Sequence, residues 1–266
     1  MFDEDDLVRV LESLGYKAER IPEVQDARRP DVIAHADGET LLVELKNKGD
    51  DGAVLETIRH ATQNGGRYYD QRKMGSHRLW GPIISDKADQ LRAHPQAAES
   101  IKLLCVVCEG FDPEDQLDHL QQSLYGIRAI THRASPQAPP ESVLDLAFDR
   151  PIASRCYYFA PSLFAQRKTI LSGVLVQVNG EWQLLVNSVA SDYARLLQTR
   201  LYRASKANGA VLDPNDPDTI DPDDFMISPR RHAESNQSAL DRLAEKYKLK
   251  KPAAMAIPRH RIIARH

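Results

Sequence analysis

Leu7, Val10, Leu11 and Leu14 recur three and four positions apart within residues 3–14, and Gly15 follows them. This spacing predicts an amphipathic helix that the glycine ends. Residues 17–22 (KAERIP) read as a short strand. The runs PDVIAHA (30–36) and ETLLVELKN (39–47) then flank Asp37-Gly38. An Asp-Gly pair between apolar runs predicts a tight β-hairpin. Residues 53–73 (AVLETIRHATQNGGRYYDQRK) read as a helix weakened by Gly65-Gly66. The stretch 76–100 is irregular, with a helix expected near 86–98. SIKLLCVVCEG (100–110) has the unbroken apolar run of a buried strand, 113–124 reads as a helix, and YGIRAITHR (125–133) as a further strand. The predicted order of the first half is αβββαβαβ.

The Pro/Ser-rich segment SPQAPPES (135–142) predicts a connector. Beyond it, TILSGVLVQV and EWQLLVNSV flank Asn179-Gly180 and predict a second hairpin over 169–189. Residues 190–207 read as a helix, the Asp/Pro-rich run 213–224 as a mobile loop, and 233–248 as a final helix. The expected division is therefore a core over 1–134 and an accessory α+β region over 143–266, the two packed as one domain or as neighbours.

Composition narrows the class. Hydrophobic residues are 42% and charged residues 27% of the chain, which is ordinary for a soluble globular protein. Four acids precede the first basic residue, and no apolar run approaches the roughly 20 residues that span a bilayer. The expectation is a cytoplasmic protein without membrane contact. Net charge is −3, but residues 228–266 hold ten Lys/Arg against three acids. A basic segment can neutralise phosphates, or serve simply as a solvated surface.

The first hairpin carries the candidate chemistry. With a two-residue turn on Asp37-Gly38, Asp31 faces Glu44, and Lys46 shares their side of the sheet. Directly opposed carboxylates on a ladder repel one another, a cost that a cation between them removes. Hard divalent cations prefer carboxylate and water oxygens. The alternative is a surface hairpin that happens to carry Asp, Glu and Lys. The other constellations are weaker. Cys105 and Cys108 are three apart on a strand, have no second pair, and read as buried structural residues. Trp80 and Trp182 read as packing residues.

Pro30-Asp31, twelve intervening residues and Glu44-Leu45-Lys46, preceded by a helix bearing Glu4, resemble the signature of the PD-(D/E)XK nuclease superfamily. The opening EDDLVRVLESLGYKAERIPE resembles that of archaeal Holliday-junction resolvases and restriction-type enzymes. The resemblance covers residues 2–50 and, by order of elements, extends to 133. It implies an α/β fold, with a restriction-endonuclease-like mixed β-sheet core flanked by helices. An additional α+β C-terminal region would hold the second hairpin. It also implies that Asp31 and Glu44 bind Mg²⁺, with Mn²⁺ as a substitute, and that Lys46 positions or activates the attacking water. Glu4 would complete the metal shell, with Glu12 as the other helix candidate. Gln63 would be the glutamine that many members carry after the ExK strand, with Tyr68, Tyr69 and Gln71 behind it.

The implied activity is metal-dependent hydrolysis of DNA, in prokaryotic restriction or anti-phage defence. The site chemistry is indifferent to the 2′-hydroxyl, so RNA stays open as a substrate. Cutting two strands needs two sites, which points to a homodimer or higher homo-oligomer with the 169–189 hairpin as its interface. A regulatory protein partner is expected because an always-active nuclease is toxic. A structure-specific junction resolvase is one alternative. A non-catalytic module that binds nucleic acid or a partner on the same fold is the other.

Overall fold

The computed structural model describes residues 2–22, 29–50, 52–73, 80–110, 112–126, 128–131, 153–157, 162–167, 169–219, 225–226, 235–248, 253–255 and 258–264. The 135–142 connector and residues 220–224 of the acidic run lie outside them, as do 228–234, 249–252 and 265–266 of the basic tail.

Helix α1 (Glu4–Ser13) opens the chain. Asp3 caps it by accepting from the Asp6 backbone N–H, and the Asp6 side chain returns the bond to Asp3. This reciprocal pair satisfies donors that a helix N-terminus leaves open. Strands β1 (Lys17–Arg20), β2 (Val32–Ala36) and β3 (Glu39–Lys48) form an antiparallel meander. Asp37 and Gly38 both have positive φ, 41° and 82°, as the predicted two-residue turn requires.

Helix α2 (Gly52–Thr62) follows. The helix predicted over 53–73 stops at Thr62, passes through a 3-10 turn at Gln63–Gly65, and gives way to strand β4 (Arg67–Lys73). Two glycines explain the break. Gly65 has φ +78°, and a Cβ on Gly66 would lie 2.1 Å from the Ala61 carbonyl oxygen.

Helix α3 runs from Trp80 to Ala93, earlier than the expected 86–98. Then come β5 (Ile101–Cys108), α4 (Pro113–Tyr125), β6 (Arg128–Thr131), β7 (Ala153–Tyr157) and α5 (Leu163–Gln166). The second predicted hairpin is β8 (Gly173–Val178) with β9 (Glu181–Val186), turned on Asn179 and Gly180 at φ 53° and 87°. The single helix expected over 190–207 is two, α6 (Tyr193–Leu196) and α7 (Arg200–Ala207), separated where Thr199 caps the second. The described elements end with β10 (Val211–Leu212), β11 (Phe225–Met226), α8 (Asn236–Tyr247), β12 (Ala253–Met255) and β13 (Pro258–Ala264).

Seven strands form one mixed sheet in the order β1-β2-β3-β5-β8-β9-β10. β3, β5 and β8 run parallel, and β8 and β9 antiparallel. Helices cover both faces. One apolar layer joins Leu42, Leu104 and Val106 to Trp80, Ile84 and Leu91 of α3, and to α4 and α8. The other joins Leu41, Val43 and Leu45 to Leu7 and Leu11 of α1, and to Leu196 and Leu201. β5, buried along its whole length, divides the two layers: Cys105 faces one and Cys108 the other. Both cysteines are free, with thiols that burial pushes up, Cys108 to about 12. Trp80 packs in the core and Trp182 stacks edge-on against Phe2.

The β8–β9 hairpin is enclosed by β5 on one side and β10 on the other. β8 pairs with β5 from Leu103 to Cys108, and β10 pairs with β9 at Leu184 and Leu185. Asp213, expected in a mobile loop, is buried and accepts from the Tyr193 hydroxyl at 2.8 Å. No helix among the described residues is long and apolar enough to cross a membrane.

Candidate metal centre

The β2–β3 ladder keeps the predicted register from Ala36↔Glu39 to Val32↔Val43. At Asp31 it changes. The Asp31 N–H donates to the Val43 carbonyl at 3.1 Å, on the residue that Val32 already faces, so two residues oppose one in the manner of a β-bulge. The Asp31 carboxylate meanwhile accepts from the Leu45 backbone N–H at 2.7 Å through Oδ2. A side chain thus takes over the ladder bond where strand pairing ends, and this anchors the carboxylate beside the outgoing half of β3.

Glu44 and Lys46 alternate with Val43 and Leu45 along β3, so they lie on the α3 side of the sheet. Glu44 is 1% exposed. Lys87 of α3 donates to its Oε1, and Lys87 also donates to the Gln90 side-chain oxygen at 3.1 Å. Glu44 Oε2 is buried and accepts no hydrogen bond among the described residues. Burial pushes the Glu44 carboxyl up to about 7, and the negative charges of Asp31 and Asp86 push the same way; Lys87 pulls it down. The charge coupling to Asp31 places both predicted carboxylates in one electrostatic neighbourhood. Lys46 is half-buried beside Val106 in the β3–β5 register.

The other predicted residues stand elsewhere. Glu4 pairs with Arg20 at 3.6 Å, on a helix that covers the face opposite to Glu44. Glu12 is exposed on that helix, and Gln63 is exposed in the 3-10 turn after α2. No group of three or more His, Cys, Asp or Glu residues arranged to hold a metal occurs among the described residues.

Lys87 is a functional candidate absent from the sequence-based expectation, although a signal for it exists. Trp80, Ile84, Ala88 and Leu91 form the buried stripe of α3, and Lys87 sits three residues after Ile84 and four before Leu91. A lysine bordering an apolar stripe needs a counter-charge in the layer beneath it. A helix over 86–98 omits Trp80 and Ile84, and with them that requirement.

An orphaned carboxylate oxygen next to a second carboxylate is a hard, anionic donor set that fits Mg²⁺ or Mn²⁺. Two side chains are fewer than such an ion coordinates, so water or substrate oxygens would supply the remainder. No protein-family model matches the sequence, and no characterised protein matches it either.

Proposed function

We propose that this chain is a metal-dependent endonuclease of the PD-(D/E)XK type, acting on DNA through a restriction-endonuclease-like core. The observation that carries the reading is Glu44: a buried carboxylate with one oxygen held by Lys87 and the other unpaired, beside Asp31. An unpartnered buried carboxylate oxygen costs stability, and a divalent ion removes that cost.

Asp31 and Glu44 would hold the ion. When bound, it supplies Lewis-acid polarisation of a phosphate and lowers the pKa of a coordinated water. Lys46 orients the attacking water from the same strand. Lys87 opposes the upward shift that burial imposes on Glu44 and holds Oε1, so that Oε2 is the oxygen left to face the ion. Glu4 and Gln63 enter through the resemblance alone. A homodimer would bring two sites to the two strands of a duplex.

The test uses supercoiled plasmid with Mg²⁺ and, separately, Mn²⁺. Wild type nicks or linearises it. Lys46→Ala is slower by roughly 10²–10³-fold, the scale of losing one transition-state donor, and Asp31→Ala loses measurable cutting. Intact plasmid with both ions, or equal cutting by the variants, defeats the proposal. Faster cutting of a four-way junction than of linear duplex moves the assignment to a resolvase.

A second reading has one observation in its favour. Lys87 already neutralises Glu44, which suits a non-catalytic module whose carboxylate is structural. Calorimetric titration with Mn²⁺ separates the two: heat that Asp31→Ala abolishes belongs to the enzyme, and no heat in wild type belongs to the module.

A further inference from the structure

Three connections meet at one end of the central sheet. β5 and β8 run parallel and β9 is antiparallel to β8, so the segments entering β5 and β8 and the segment leaving β9 share that edge. Between them lies a cavity of about 440 Å³, whose lining includes Arg92, Lys102, Thr169, Ser191, Asp192 and Arg195. Its volume falls in the range of small-molecule sites, roughly 300–1,000 Å³. Lys102, near the start of β5, is buried. It donates to the carbonyls of Ala97 and Ser100 at 3.1 and 2.8 Å and to Asp192 Oδ2 at 3.2 Å, which occupies the three donors of an ammonium. The Ser172 hydroxyl donates to the same Oδ2 at 2.7 Å. Asp192 directly precedes α6, where an aspartate ordinarily caps the helix, yet its side chain makes no cap. That side chain is 10% exposed, and its Oδ1 accepts no hydrogen bond among the described residues. Lys102 and Ser172 thus fix a carboxylate in the cavity wall with one acceptor oxygen left over. The candidate metal centre does not use this group: Lys102 stands beside Leu42 in the β3–β5 register, two positions before the Leu104 that stands beside Glu44.

Lys102 and Asp192 neutralise each other, so Arg92 and Arg195 set the charge that a ligand meets. Arg195 donates to the Glu99 carbonyl and keeps the rest of its five N–H donors. Arg92 pairs with Asp89 of its own helix at 2.9 Å, and both side chains are exposed, a pairing that solvent screens. A guanidinium fork matches phosphate two-pronged, and the exposed Thr169 and Ser191 add hydroxyl donors. Asp192 makes the opposite demand, because a carboxylate oxygen accepts a hydrogen bond and repels a second anion. The complementary ligand therefore has a phosphate at one end and hydroxyl donors at the other. We infer that this cavity binds a sugar phosphate, free or as the ribose phosphate of a nucleotide, with the phosphate on Arg92 and Arg195 and sugar hydroxyls donating to Asp192 Oδ1. A carboxylate takes ribose hydroxyls in dinucleotide sites by the same chemistry. The site is separate from Asp31 and Glu44, so the inference stands whether or not the chain cuts DNA.

Isothermal titration calorimetry on the full-length protein in EDTA tests this, with ribose 5-phosphate, adenosine 5′-monophosphate and inorganic phosphate as probes. Wild type should bind ribose 5-phosphate with a Kd below about 1 mM, and about tenfold or more tightly than inorganic phosphate. Tighter binding of adenosine 5′-monophosphate than of ribose 5-phosphate supports the inference with a nucleotide as the source. Equal or weaker binding supports it with a free sugar phosphate. Arg195→Ala should weaken ribose 5-phosphate binding about tenfold or more, the scale of losing a charge-assisted hydrogen bond. Arg195→Lys, which keeps the charge without the fork, should fall between that variant and wild type. Arg92→Ala supplies a second variant with the same expected loss. Arg9→Ala, which removes an exposed arginine on α1, should bind like wild type. Thermal unfolding followed by circular dichroism should be alike in all of them, because Arg9, Arg92 and Arg195 are exposed. The inference is overturned if wild type shows no saturable binding, or if inorganic phosphate binds as tightly as ribose 5-phosphate, which marks a bare anion site. Wild-type affinity in both Arg195→Ala and Arg92→Ala, or an equal loss in Arg9→Ala, overturns it as well.

Discussion

Lys87 and Glu44 form an ion pair between a helix and the central sheet, and the energetics of that pair can be read without metal. Glu44 is raised from 4.5 to about 7, first by burial. A carboxyl raised in the folded state contributes stability that is complete below its unfolded value and is lost as pH climbs through the folded value. At about 1.4 kcal/mol per pH unit, the Glu44 contribution lost between pH 4.5 and 7 is roughly 3 kcal/mol. Removing Lys87 takes away both the hydrogen bond and the positive charge that lower this carboxyl, so the loss extends to higher pH. Lys87→Met should therefore cost little near pH 5 and about 3 kcal/mol near pH 8, the scale of stranding one member of a buried pair. Urea unfolding in EDTA at the two pH values reads this. An equal cost at both would mean that the pair does not govern the carboxyl, and Glu44→Gln in the Lys87→Met background should recover most of the loss at the higher pH. The ladder from Ala36↔Glu39 to Val32↔Val43 is legible in the sequence because a two-residue turn fixes register locally. The bulge at Asp31 is not, because it depends on a side chain capturing the Leu45 N–H.

Turn chemistry is the most readable feature among the elements. Asp37-Gly38 and Asn179-Gly180 both adopt the positive φ that their residue types signal. Gly65-Gly66 carries a signal of the same kind, but the helical spacing before it is genuine and draws the expected helix on to residue 73. The strand after the glycines is stabilised by β13, whose partner positions lie about 190 residues later, so no local window contains the reason for it. Gly66 is the residue on which this switch depends. Its Cβ would sit 2.1 Å from a backbone oxygen, whereas a Cβ on Gly65 meets nothing within 4 Å. Gly66→Ala should destabilise the α2–β4 connection by about 2–3 kcal/mol, in the range of overpacking a fixed backbone. Gly65→Ala should cost about 1–2 kcal/mol, from its left-handed φ alone. Hydrogen exchange of the β4 amides measures both. Equal effects would show that the close approach to Ala61 is not what ends the helix.

The whole molecule does not divide where the connector suggests. β8 pairs along β5 from Leu103 to Cys108, so the second half supplies three strands of the sheet that the first half begins. Tyr125, at the end of α4, donates to the carbonyls of Val186 and Leu212, both at 3.1 Å. At the other end of the sheet, Arg200 of α7 pairs with Asp37 in the first hairpin turn, and its backbone N–H donates to Glu39 at 3.0 Å. The turn that sets the register of the candidate site is thus held by the second half of the chain. Residues 1–134 expressed alone would present β5 as a long, apolar, unpaired edge, the kind that aggregates, and would lose the groups that fix Tyr125 and Asp37. The fragment should be insoluble or unfold without a cooperative transition, while the full chain unfolds its sheet as one unit in circular dichroism. A soluble 1–134 fragment with a sharp transition would show that the site region is self-sufficient. The strand pairing argues that it is not: β3, which bears Glu44 and Lys46, is held in place by β5, and β5 in turn needs β8.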